Sequence, residues 1–174
     1  MEHNESGAET WVDFYLVVGP SAAVLLGLLF VALSINREAT AAEAHLGGQA
    51  RQAIFALVSV FVVSLLVLLP DQSREALGVE LIVGVIPNLA ISIARQKRIL
   101  ATTEPSQRMA FGLRMAVYDV GLFLILVAGL GFVAGYGFGF HLLAAASIAL
   151  TLLAIGNSWT LTFLGTERVG DDRR

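Results

Sequence analysis

Apolar residues in this chain gather into five long blocks separated by short polar connections. The blocks run from Trp11 to Ile35, Ala53 to Leu69, Leu77 to Ala94, Met109 to Ala134 and His141 to Leu164. A helix crosses a ~30 Å hydrocarbon layer in about 20 residues at 1.5 Å rise, so each block is near the length of one span. The second and third are the shortest. The pattern predicts an all-α integral membrane bundle of five transmembrane helices over residues 11–164, with an acidic tail at 1–10 and a second tail at 165–174.

The connections carry helix-ending chemistry. Pro70 stops the second helix, and either Asp71 or Ser73 can cap the third, so these two helices are expected to form a tight hairpin. The stretch from Asn36 to Gln52 holds an alanine-rich extension of the first helix and then Gly47-Gly48, read as a break. Pro105 suits the first turn of the fourth helix. Gly135-Tyr136-Gly137-Phe138-Gly139 reads as a turn rather than a phosphate loop.

Composition narrows the class. The chain is 56% hydrophobic and 14% charged, against about 25% charged in an average soluble domain. That much apolar surface has no interior to hide in at 174 residues, which excludes a water-soluble enzyme. A formal charge of −3 without a long basic run excludes a nucleic-acid binder. There is no cysteine, and the histidines His3, His45 and His141 are not paired at helical spacing, so no metal site, cofactor or catalytic constellation is expected.

The few charges are strongly one-sided. Every Lys and Arg except Arg74 falls on one face of a five-span topology: Arg37, Arg51, Arg95, Lys97, Arg98, Arg108, Arg114, Arg168, Arg173 and Arg174. Positive residues stay inside, so the N-terminus is expected outside and the C-terminus in the cytoplasm. Met1–Thr10 carries Glu2, Glu5 and Glu9 and no basic residue, unlike a secretory signal. Trp11, Phe14 and Tyr15 suit an outer aromatic belt, and Trp159 and Phe163 an inner one.

Small and polar residues inside the spans mark the candidate sites. Gly19, Ala23 and Gly27 recur every four residues and form a ridge for helix packing or an oligomer interface. Glu80, Gly84, Asn88 and Ser92 make a stripe on the third helix beside Pro87, and Ser147, Thr151, Ala154 and Ser158 make another on the fifth. Ser59, Asn88, Asp119 and Asn157 all fall roughly 9–15 Å from the cytoplasmic boundary, in one layer contributed by four helices. An acid at mid-span costs roughly 2.5–3.5 kcal/mol on insertion scales, so Asp119 is expected to face protein or water. With Asn88, Asn157, Ser59 and nearby Arg114 it could line an ion path; equally, a hydrogen bond to Asn88, Asn157 or an arginine could simply set helix register. Arg95, Lys97, Arg98 and Arg108 form a basic loop suited to anionic lipid headgroups.

The first span, Trp11-Val12-Asp13-Phe14-Tyr15 with Gly19-Pro20-Ser21-Ala22-Ala23 and the run from Gly27 to Asn36, resembles a family of small uncharacterised bacterial membrane proteins. Some members are labelled modulator of the FtsH membrane protease. The resemblance is most specific over residues 11–36 and continues loosely in Leu69-Pro70-Asp71-Gln72. It implies the bacterial cytoplasmic membrane and no particular catalytic residue. Two functions are therefore expected. One is an oligomeric small channel or transporter for protons or small ions, built around Asp119. The other is a structural or regulatory protein that binds another membrane protein, through the glycine ridge or the basic loop.

Overall fold

The computed structural model describes residues 6–35, 44–102 and 108–171, and in these it is all helical. Helix α1 is Ser6–Ile35, α2 Ala44–Val67, α3 Arg74–Thr102, α4 Arg108–Val133 and α5 Gly139–Asp171. Each contains an apolar stretch of 19 to 25 residues, long enough to cross a membrane. The chain is an integral membrane protein by this measure. Pro105 and Arg37 lie outside the described residues, as do His3, Arg173 and Arg174.

Several helix ends follow from local chemistry. Ser73 caps α3, its Oγ accepting the Ala76 amide at 3.1 Å, while Asp71 takes a left-handed conformation (φ 56°) in the turn before it. At the end of α4, the Tyr136 amide bonds the Gly131 carbonyl and the Gly135 amide bonds that of Phe132. Gly135 between them has φ 79°, the arrangement that closes a helix with a left-handed glycine. Gly47-Gly48 does not break the chain. Both lie inside α2, which begins nine residues before the expected Ala53, and no atom crowds Gly48 within 4 Å. At the other end, Leu68 and Leu69 leave the helix for the turn.

The helices pack as a curved row in the order α1, α2, α5, α4, α3, with slight contact between α1 and α5 and between α2 and α3. The expected hairpin of α2 and α3 is tight only at its turn. Beyond it the two helices spread, because α3 commits its small-residue face to α4. A Cβ on Gly78 would stand 2.6 Å from the Gly129 carbonyl oxygen, and one on Gly129 would stand 3.0 Å from that of Gly78. Only backbone fits on backbone at this crossing.

The core runs along the middle of the row. Leu57 and Val60 of α2 meet Leu143 and Leu150 of α5, and Leu122 and Phe132 of α4 complete it. Gly121 admits the Leu150 side chain, and Gly139 receives the edge of Phe132, whose ring packs on Phe140 at 4.8 Å. On α1 the buried face is Tyr15, Gly19, Ala22 and Leu29, a 3.6-residue pattern. Tyr15 thus belongs to the core and not to a surface belt, whereas Trp11 stacks on Phe140 at 6.1 Å.

Replacing Gly78 by Leu should separate α3 from α4 and cost about 1–3 kcal/mol, the usual penalty of overpacking. Gly84→Ala, added where nothing lies within 4 Å, should leave stability nearly unchanged. Thermal unfolding in detergent distinguishes the two.

Candidate functional site

The small-residue ridge of α1 does not form one face. Gly19 is buried, its Cβ position 2.9 Å from that of Ser64 on α2, whereas Ala23 and Gly27 are exposed and nothing approaches Gly27 within 4 Å. Residues four apart advance about 40° per step on a helix of 3.6 residues per turn, so the ridge rotates out of the α1–α2 contact.

The polar residues of the spans also divide. Asn88 of α3 stands at the centre of one group. Tyr118 of α4 donates its hydroxyl to Asn88 Oδ1 at 3.0 Å, and Asn88 Nδ2 donates to Ser59 Oγ of α2 at 3.3 Å. Ser59 in turn donates to the Phe55 carbonyl at 2.8 Å. The result is a directed chain of hydrogen bonds across three helices, each bond oriented by the next.

One turn along α3, Ser92 donates to Asp119 Oδ1 at 2.5 Å. Asp119 is half-buried, and this bond joins α3 to α4. The expected partners Asn88 and Asn157 bond elsewhere. Asn88 is taken by Tyr118, the residue before Asp119, and the Ser92 hydroxyl, one turn nearer the basic end, reaches the carboxylate instead. Arg114 lies in α4, but its side chain is outside the described residues.

Asn157 belongs to a separate pair. Buried at 2% exposure, it donates from Nδ2 to Gln52 Oε1 of α2 at 3.3 Å, at the α2–α5 contact rather than the α3–α4 contact of Asp119. The single layer read from depth is therefore three hydrogen-bonded groups. Depth along a helix is set by counting residues, whereas azimuth depends on which helices become neighbours. Gln52 and Tyr118 were missed as partners. Gln52 sits at the end of what reads as a polar connection, and Tyr118 signals only through its i, i+4 relation to Arg114.

Between α2 and α3 the spread helices leave a cleft of about 320 Å³. Phe55, Val58, Val62 and Leu66 line one wall, Leu81, Val85 and Ile91 the other, and Leu122 and Ile125 of α4 form the floor. Ser59 and Asn88, bonded to each other, also line it. Glu80 stands at the hairpin end, where Gln72 of the turn donates to its carboxylate. At the opposite end the Arg95 guanidinium lies 5.9 Å from the centre of the Phe55 ring. Lys97 is exposed just beyond; the side chains of Arg98 and Arg108 lie outside the described residues. Among the described residues, no group of three His, Asp or Glu side chains could hold a metal ion.

Compared with protein-family models, curated proteins and solved structures, the chain matches none.

A Ser92→Ala, Asp119→Asn double-mutant cycle should give a coupling of about 0.6 kcal/mol, and at most about 1.7, typical of interhelical hydrogen bonds in membranes. Asn88→Leu, which removes two such bonds, should cost about 1 kcal/mol. Unfolding in mixed detergent–SDS micelles measures both.

Proposed function

We propose that this membrane protein is structural or regulatory and acts by associating with another membrane protein in the plane of the bilayer. The supporting observation is the outer side of α1. This helix packs along α2 and only touches α5, and just 17% of its apolar stretch is buried, against 44% in α4 and α5. Ala23 and Gly27 lie exposed there, with no atom within 4 Å of a Cβ at Gly27 and Val24 and Val31 exposed nearby. Small residues of this kind let a second helix backbone approach closely. The resemblance of residues 11–36 to proteins labelled as modulators of a membrane protease concerns the same helix. In this reading the protein resides in a bacterial cytoplasmic membrane, N-terminus out, with its basic end in the cytoplasm.

A second reading, a proton or ion path, is favoured by Asp119, a half-buried carboxylate in a span. Against it, the polar groups around Asp119 bond one another across helices, and the cleft beside them is mostly apolar.

The chain has no cysteine, so a single introduced thiol can be labelled alone. A photoreactive label at Gly27→Cys should capture another membrane protein in native membranes, and the same label at buried Ala22→Cys should not. Capture of only a second copy, or of lipid alone, would overturn the association reading. Wild-type protein in liposomes should show the proton and cation flux of empty vesicles; flux that Asp119→Asn abolishes would establish the second reading instead.

A further inference from the structure

The cleft between α2 and α3 has the dimensions and polarity of a site for one lipid chain. Its walls extend from Phe55 to Leu66, 11 positions, or about 16 Å at 1.5 Å per residue. That is close to the ~15 Å that one leaflet contributes to a ~30 Å hydrocarbon core. Spread over this length, 320 Å³ leaves a cross-section of roughly 20 Å². A helix with side chains is 10–12 Å wide and needs roughly 80–110 Å². A cleft this narrow suits a single hydrocarbon chain.

Charge identifies the headgroup. Arg95 of α3 lies over Phe55, which is itself part of the cleft wall. Arg51 of α2 precedes Phe55 by four residues, so it shares that helix face, and it is exposed. Lys97 is exposed two residues past Arg95. Both walls thus end in an arginine at the basic end, whereas the far end carries the Glu80 carboxylate. An acyl chain with an anionic head has one favourable orientation here.

We propose that this cleft binds an anionic phospholipid from the leaflet at the basic end, with one acyl chain between α2 and α3 and the phosphate held by Arg95 and Arg51. Arginine suits the phosphate through paired N–H donors, and Phe55 keeps the Arg95 guanidinium at the mouth. The site shares no residue with the association face on α1.

The test uses the full chain, delipidated in detergent and offered phosphatidylglycerol or phosphatidylcholine with identical acyl chains, with bound lipid counted by native mass spectrometry. Wild type should retain phosphatidylglycerol preferentially. Arg95→Gln should weaken that preference about fivefold, and adding Arg51→Gln about fivefold again, while phosphatidylcholine binding stays the same. Gly84→Leu, which fills the cleft from a position with no atom within 4 Å, should abolish retention of both lipids with unchanged helicity. A photoreactive acyl chain on phosphatidylglycerol should label wild-type residues of the cleft, such as Val62 and Ile91, and not Val24 on α1; this reading needs no variant. Equal retention by wild type and Gly84→Leu, or labelling spread evenly over the helices, would overturn the proposal. So would equal binding of a free fatty acid of the same chain length, since the headgroup would then be a carboxylate, or a second copy of the chain cross-linked across the cleft.

Discussion

The backbone contact of Gly78 with Gly129 determines how this bundle is arranged. In lipid, apolar side chains gain nothing from leaving their surroundings for each other, so helices associate where surfaces approach closely enough for dispersion and polar contacts to accumulate. At Gly78 and Gly129 the approach is backbone to backbone, and no side chain larger than hydrogen fits. That crossing draws α3 onto α4 and away from α2, the helix to which the chain connects it. The row α1, α2, α5, α4, α3 and the cleft between its covalently joined members both follow.

Once α3 is held on α4, its polar stripe acquires definite partners. Asn88 meets Tyr118, and Ser92 meets Asp119, in two separate bonds between α3 and α4. Ser59 extends the network across the cleft to α2 by one hydrogen bond. The same bonds engage Asn88, Ser59 and Asp119 with neighbouring helices. The cleft beside them is mostly apolar, with Arg95 at one end and Glu80 at the other.

The extent to which the architecture was legible varies with the length scale of the signal. Block length and polarity located five helices, since the hydrocarbon layer demands about 20 residues of satisfied backbone whatever the neighbours do. Ser73 as a cap and the glycine-rich turn after α4 were equally readable, being determined within a few residues. Gly47-Gly48 misled, because glycine lowers helix propensity without preventing a helix in a long apolar context. Tyr15 misled in another way: an aromatic near a span end suits an interface belt and a packed face alike, and only the neighbouring helices decide between them.

The sequence by itself determined that the chain builds apolar helices of membrane-crossing length, where most of them stop, and how deep each polar residue lies. These depend on local chemistry and on counting along a helix. The tertiary structure alone decided that Gly19 turns inward while Ala23 and Gly27 turn out, that Asp119 pairs with Ser92, that Asn157 stands apart with Gln52, and that α2 and α3 spread around a cleft. Each of these depends on azimuth and neighbour choice. Five helices of similar hydrophobicity differ little in their preference for one another until close-packing glycines and a few hydrogen bonds select the pairs.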